Sequence, residues 1–91
     1  MSGYLAMYKI VFQRAASKQL LKVPTTDRQR IVDKLYTLAK DPNDRRLDVT
    51  KKSGEPGYRL RVGNCRVIFY RQDSLNIIEV QKIGPRGGVD K

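Results

Sequence analysis

The sequence predicts an α+β fold in which an antiparallel four-stranded sheet, preceded by an N-terminal strand, carries a helical hairpin on one face. Three observations lead to this prediction. Residues 8–12 (YKIVF) form a short apolar segment typical of a strand. Two segments with apolar residues at helical spacing follow. From residue 45 onward, short apolar segments alternate with turn residues.

The length of 91 residues fits one domain over residues 1–91, with residues 1–6 expected to form a loose extension. No apolar run approaches the ~18 residues that a membrane span requires. The opening residues also lack the layout of a signal peptide. We therefore expect a cytoplasmic protein.

The two predicted helices cover residues 13–22 and 25–40. Pro24 ends the first helix, because proline cannot continue it. In the second segment Thr26 and Gln29 have the spacing of a capping box. The predicted apolar stripes of the two helices consist of Ala16, Leu20, Val23, Ile31, Val32, Leu35, Leu38 and Ala39.

Four predicted strands follow the helices, in residues 45–52, 57–62, 65–70 and 74–84. The connections between them are short, which predicts an antiparallel meander. Gly63 and Asn64 fit a two-residue hairpin turn. Pairing outward from this turn gives the hairpin one apolar face and one basic face, because side chains alternate. The apolar face holds Tyr58, Leu60, Val62, Cys65, Val67 and Phe69, and the basic face holds Arg59, Arg61 and Arg66.

The basic face of the hairpin places Arg61 directly opposite Arg66. Like charges in this position destabilise a sheet, within the ~0.2–1 kcal/mol scale of cross-strand pairs. One interpretation is that this basic face is simply a solvated polar surface. We interpret the face as an anion site in which guanidinium groups converge on phosphate. Lys51 and Lys52 before the hairpin, and Arg86 in the loop after the last strand, could extend this site.

The composition limits the chemistry that the chain can perform. The net charge of +10, from 19 basic and 9 acidic residues, indicates a polyanionic partner, either nucleic acid or an acidic protein. The absence of histidine excludes Ser-His-Asp and Cys-His catalysis. The single cysteine, Cys65, excludes an intrachain disulfide and a cysteine-cluster zinc site.

These residues resemble the RelE/ParE superfamily of bacterial toxins from toxin–antitoxin pairs, and in particular its RelE-like branch. The resemblance runs from about Tyr8 onward and is strongest in residues 57–70 (GYRLRVGNCRVIFY) followed by residues 78–86 (IEVQKIGPR). It implies a RelE-like fold and a ribosome-dependent endoribonuclease that inhibits translation by cleaving messenger RNA. It also implies an acidic antitoxin as the protein partner, in a hetero-oligomer, and no metal or other cofactor.

By this resemblance the residues around the scissile phosphate are Lys52, Arg59, Arg61, Arg66 and Arg86. The substrate 2′-hydroxyl would attack the adjacent phosphate while the arginines stabilise its charge. Lys52 is a candidate proton donor or base, and Lys51 is expected to bind RNA phosphate together with Arg59. RelE-like chains usually carry a tyrosine near the end. Here the aligned position is Asp90 or Val89, and Asp90 is a candidate acceptor for the 2′-hydroxyl proton.

Several alternatives share these features. A ParE-like inhibitor of DNA gyrase has the same fold, and a non-catalytic RNA- or ribosome-binding module has the same charge. The helical hairpin also permits a helix-turn-helix DNA reader. A metal-dependent nuclease could use Asp41, Asp44 and Asp48, although aspartate is common in turns and caps for local reasons.

Overall fold

The computed structural model describes residues 7–85. In chain order, these form β1 (Lys9–Phe12), α1 (Arg14–Lys22), α2 (Thr25–Lys40), β2 (Asp48–Lys51), β3 (Tyr58–Val62), β4 (Cys65–Gln72) and β5 (Ile77–Pro85). A 3-10 turn, Asp73–Leu75, connects the last two strands. The predicted α+β class and the order of strand, two helices and strands are confirmed. No helix in this part of the chain is long and apolar enough to cross a membrane.

The strands form one five-stranded sheet in the order β1-β5-β4-β3-β2. Strands β2 to β5 form the predicted antiparallel meander. The prediction placed the N-terminal strand before a four-stranded sheet. In the structure β1 is a fifth strand of the sheet and pairs parallel to β5. Parallel neighbours need a long connection, and here all the other elements lie between the two strands. The sequence of a four-residue apolar strand does not indicate which strand it pairs with.

Both helices contribute to the core that covers one face of the sheet. The helical members of the core include Ala16, Ile31, Leu35 and Leu38, and the predicted apolar face of the hairpin packs against them. Val32 was predicted in the apolar stripe of α2, but it is 44% exposed. One residue is a turn of about 100° on a helix, so Val32 lies beside the buried Ile31 at the solvent edge of the stripe.

The start of α2 differs from the predicted capping box. Thr26 lies inside the helix, whose N-cap is Pro24, and no side chain forms a cap hydrogen bond. The junction between the helices is closed by Arg28, which donates from Nη2 to the carbonyl oxygens of Leu21 at 3.0 Å and Val23 at 3.2 Å. A guanidinium group therefore satisfies the end of α1, a contact that helix spacing cannot reveal.

The hairpin between β3 and β4 has the predicted register, with Val62 opposite Cys65 and Arg61 opposite Arg66. Gly63 has a φ of +58°, whereas among the described residues the only non-glycine with positive φ is Asn76. A positive φ at the first central residue alone is the pattern of a type II′ turn. This turn suits the twist of the two strands and aligns the arginines across from each other.

At the opposite end of the meander, Asp73 connects three segments of the chain. Its carboxylate accepts a hydrogen bond from the Tyr8 hydroxyl at 3.0 Å and two from the Arg71 guanidinium. Arg71 also donates to Asn43 Oδ1 at 3.0 Å. The hydrogen bonds from Arg71, supported by Tyr8, lower the pKa of Asp73. The network links the start of β1, the loop after α2 and the turn before β5.

Candidate nucleic-acid interface

The face of the sheet opposite the helices, here called the arginine face, contains a small cleft between β2, β3 and β4. We call this the arginine cleft. It has a volume of about 160 Å³ and is lined by Asp48, Thr50, Arg59, Arg61 and Arg66. The three predicted arginines are therefore brought together.

The register of the strands explains why these side chains converge. Asp48, Arg61 and Arg66 occupy one row across β2, β3 and β4. Thr50 and Arg59 are paired in the next row. Because alternate residues of a strand share a face, Arg59 and Arg61 point to the same side. Two adjacent rows of the antiparallel sheet therefore supply all the described residues that line the cleft.

The described lining of the arginine cleft holds more basic than acidic side chains. Arg61 Nη1 lies 3.8 Å from Asp48 Oδ2, and both side chains are at least half exposed. An exposed ion pair at this distance contributes about 0–1 kcal/mol, so Asp48 offsets part of the repulsion between Arg61 and Arg66. Among the described residues, the lining of the cleft holds three guanidinium groups and one carboxylate. Guanidinium groups bind phosphate in a bidentate way, which suits this cleft to a phosphate group.

Solved structures of toxins share this fold. No protein-family model and no curated protein matches the sequence. An archaeal RelE–RelB complex from Pyrococcus horikoshii is 26% identical, and the match covers 91% of this chain and 99% of that chain with a TM-score of 0.78. The RelBE2 toxin–antitoxin complex from Mycobacterium tuberculosis is 18% identical, covering 88% and 92%, with a TM-score of 0.73. The isolated E. coli RelE toxin is 22% identical, covering 87% and 84%, with a TM-score of 0.74. The chain has a RelE-like toxin fold.

In this RelE-like fold, the two lysines predicted for the site do not line the arginine cleft. Lys51 Nζ lies 5.1 Å from the centre of the Tyr58 ring, on the face that carries the core. Lys52 Nζ lies 3.0 Å from Glu55 Oε1, within the loop between β2 and β3. Because side chains alternate along a strand, Lys51 lies on the opposite face of the sheet from the arginines. Lys52 is paired with the carboxylate of Glu55.

The other two predicted site residues, Arg86 and Asp90, lie outside the described residues. Gly84 is in register with Arg66, and Pro85 is in register with Cys65. The chain therefore continues from a strand end that adjoins the arginine cleft.

Lys82 is a basic residue of the arginine face that the sequence did not reveal. It is in register with Ile68, which is in register with Arg59. Strict alternation from the buried Val80 would turn Lys82 toward the core. An irregularity in the β4–β5 pairing between Ile68 and Phe69 shifts the register by one residue, so Lys82 pairs on the outer face. A bulge of this kind leaves no clear signal in composition.

The aspartates considered as metal ligands have local partners. Asp41 accepts a hydrogen bond from the Asn43 amide, and Asp48 pairs with Arg61. Hydrogen bonds from Arg46 lower the pKa of Asp44 to about 2. Within residues 7–85 no three His, Cys, Asp or Glu residues are grouped so that they could hold a metal ion. Asp41 and Asp44 therefore make local contacts in the loop before β2, and Asp48 lines the arginine cleft.

A larger cavity of about 540 Å³ lies away from the arginine face, between the helix junction, the hairpin turn and the end of β5. Val23, Cys65 and Ile83 contribute to its mainly apolar lining. Burial, together with the charge of Asp27, raises the pKa of the Cys65 thiol, which favours the unreactive thiol form. The lining holds one lysine and one aspartate, Lys22 and Asp27, and lacks the convergent cations of the arginine cleft. The arginine cleft is therefore the better candidate for binding an anionic substrate.

Proposed function

We propose that this RelE-like chain is the toxin of a type II toxin–antitoxin pair and acts as an endoribonuclease on messenger RNA at the ribosome, inhibiting translation. The observation that carries the proposal is the arginine cleft, in which Arg61 and Arg66 face each other with Arg59 beside them. Its three guanidinium groups suit the phosphate backbone of a nucleic acid. The likeness to solved RelE structures supports the choice of RNA cleavage among the functions that a basic cleft allows.

In the proposed reaction, the 2′-oxygen of the substrate attacks the adjacent phosphorus and the bond to the 5′-oxygen of the next nucleotide breaks. The products are a 2′,3′-cyclic phosphate and a 5′-hydroxyl. Negative charge gathers on the phosphoryl oxygens in the transition state. Arg61 and Arg66 would stabilise that charge, since they remain protonated and bind in a bidentate way. Guanidinium groups supply the stabilisation in this scheme, so the step itself uses no metal.

Two protons must move in this reaction. One leaves the 2′-hydroxyl, and one reaches the departing 5′-oxygen. Lys52 and Asp90 remain our proposed proton-transfer groups, and Arg86 is proposed to neutralise a further oxygen of the phosphate or the leaving group. Lys51 is proposed only as an outlying RNA contact, given its place beside Tyr58. Asp48 adds a further candidate acceptor, because its carboxylate lines the cleft.

The proposed protein partner is an acidic antitoxin. The net charge of +10 supports this choice, as does the likeness to the toxin in a solved RelE–RelB complex. Leu21, Val32 and Tyr36 expose apolar surface on the helices, where a partner could wrap. In the described sheet, β1 and β2 are the edge strands, and each offers backbone groups for an added strand.

Replacement of Arg66 by alanine tests the proposed reaction. Ribosomes programmed with a defined messenger RNA are mixed with wild type, Arg66→Ala or Arg14→Ala, and cleavage is mapped by primer extension. We expect wild type to cut at the decoding site only when ribosomes are present. Loss of a transition-state contact of this kind is expected to slow cleavage about 10²–10³-fold in Arg66→Ala.

Arg14 is the matched control, since it is an exposed arginine at the first residue of α1, in the helical layer. Arg14→Ala should cleave like wild type. Intact RNA with wild-type protein would reject the nuclease and favour gyrase inhibition or a non-catalytic RNA-binding module. A loss of affinity in Arg66→Ala equal to its loss of rate would also favour the binding module.

A further inference from the structure

Tyr70 is an aromatic residue of the arginine face that the proposed reaction does not use. It follows Arg66 by four residues in β4, so both side chains point to the same side of the sheet. Its side chain is partly open, with 36% of the residue exposed. Four residues of strand separate the two Cα atoms by about 13 Å.

A glycine immediately before β3 positions the Tyr70 ring. Gly57 has a φ of +110°, and a Cβ atom there would lie 2.8 Å from Tyr70 Cε1 and 3.0 Å from Cδ1. One side of the ring therefore lies against the Gly57 backbone, in space that any other residue would fill. A ring supported in this way is held in place while part of its surface stays open to solvent.

The Tyr70 ring and the arginine cleft form a continuous surface. Gly57, Arg59 and Arg61 occupy alternate positions of one chain segment, so the ring over Gly57 adjoins Arg59, and Arg59 adjoins Arg61. Lys82 lies in the same row as Arg59 across the sheet. The surface thus combines a track of cations with one aromatic ring, the combination by which proteins hold single-stranded nucleic acid.

We propose that Tyr70 is a base-stacking residue that holds one nucleotide of single-stranded RNA while the arginine cleft holds its backbone. This inference rests on the proposed function, because it takes RNA as the substrate. The ring lies against Gly57, and Tyr70 is about 13 Å along β4 from Arg66, so we assign Tyr70 to base binding and not to proton transfer. The ring surface accepts any base, which makes the contact tolerant of sequence.

The first test uses the absence of tryptophan from the chain. Tyr70→Trp introduces a single indole at the proposed stacking position, and Tyr36→Trp introduces one at an exposed tyrosine of α2, which is 57% exposed. Each variant is titrated at low salt with a short 2′-O-methyl RNA, which cannot undergo attack by its own 2′-oxygen. We expect quenching of the indole emission in Tyr70→Trp and none in Tyr36→Trp.

The second test separates stacking from a role in packing over Gly57. Wild type, Tyr70→Phe and Tyr70→Leu are compared for binding the same RNA and an abasic oligonucleotide of equal length. Loss of one stacked base weakens binding about tenfold, so we expect this loss in Tyr70→Leu with the base-containing RNA only. Tyr70→Phe should bind both oligonucleotides like wild type.

Each of the other results would overturn the inference. Equal weakening of Tyr70→Leu toward both oligonucleotides would assign Tyr70 to packing. Unchanged binding by Tyr70→Leu, or no quenching in Tyr70→Trp, would show that no base stacks on Tyr70. Failure of wild type to bind the RNA would also reject it, whereas the proposed cleavage is judged separately by the ribosome assay with Arg66→Ala.

Discussion

At the scale of single residues, Arg61 and Arg66 show how a surface can depart from what stability alone favours. Their side chains start about 4.5–5.5 Å apart at Cβ, where an opposite charge would stabilise the hairpin. Among residues 7–85, the one carboxylate that lines the cleft is Asp48, on the far side of Arg61 and 3.8 Å from it. The arrangement keeps the guanidinium groups close together on an open face. It is the local feature that most strongly supports an anionic ligand.

Asp73→Asn is expected to lower the free energy of unfolding by about 0.5–1 kcal/mol at neutral pH, since the Asp73 carboxylate is mostly exposed in its ion pair with Arg71. The pKa of Asp73 is lowered in the folded state by Arg71 and Tyr8. The carboxylate therefore contributes its full stabilisation above its ordinary pKa of about 3.9 and loses it as pH falls through the lowered folded value. Urea unfolding of both proteins as a function of pH measures the difference.

The difference between wild type and Asp73→Asn should be constant from neutral pH to about pH 5 and should vanish in stronger acid. Asp33→Asn on α2 is the control, because its carboxylate accepts one long hydrogen bond, of 3.4 Å, from Gln29. A difference for Asp73→Asn that persists unchanged into acid would mean that shape, and not charge, connects the three segments.

At the scale of elements, the β3–β4 hairpin is the unit that builds the site. Its turn determines which residues lie opposite each other, and a slip of one residue would put Arg66 on the opposite face from Arg59 and Arg61. The same hairpin supplies the apolar residues that pack under the helices. Core formation and site formation therefore depend on one register, which gives the core a direct part in positioning the cleft.

Gly63→Ala is expected to destabilise the protein by about 1–2 kcal/mol, the scale of placing an L-residue in a left-handed conformation. The reason is the φ of +58° and not crowding, since the nearest atom to a new Cβ is Arg30 Nη1 at 3.7 Å, an ordinary contact. Urea unfolding measures the change. Asn64→Ala, at the other turn position, has no positive φ to lose and should change stability by less than about 0.5 kcal/mol. Equal stability of the two variants would show that the turn tolerates side chains at both positions.

At the scale of the whole molecule, the charge of +10 is spread over both layers, yet its arrangement differs between them. The helical layer carries exposed cations such as Arg14 and Lys40, one per turn or fewer. The arginine face gathers Arg59, Arg61, Arg66 and Lys82 in two adjoining rows. Under the proposed function, the general excess of charge would attract RNA, and the two rows would position its backbone.

The salt dependence of RNA binding should report these two rows. Single-stranded binding loses affinity with a slope of about −0.7 per neutralised phosphate in a log–log plot, so four cations predict a slope of about −3. Arg66→Ala should reduce the magnitude of this slope by about 0.7, and Arg14→Ala should leave it unchanged. Fluorescence anisotropy of a labelled 2′-O-methyl RNA over a series of salt concentrations gives the slopes. Equal slopes for the two variants would mean that the charge acts diffusely.

The sequence alone determined the elements that have a local signal. The hairpin register follows from the Gly63-Asn64 turn and from period-two alternation, so the apolar face and the arginine pair were predictable. The helices follow from apolar spacing and from Pro24 between them. The basic composition without histidine, together with the resemblance in the hairpin, pointed to the RelE-like fold.

The tertiary structure decided what depends on contacts between distant residues. Thr26 and Gln29 have the spacing of a capping box, but the helix begins before them, because Arg28 and Pro24 shape the junction instead. The parallel pairing of β1 with β5, the bulge that turns Lys82 outward and the Tyr70 ring over Gly57 all join residues that are far apart in the chain or in register only after folding. Local patterns set the state of each segment, whereas side-chain neighbours across the sheet are set by packing, and the candidate site is made of such neighbours.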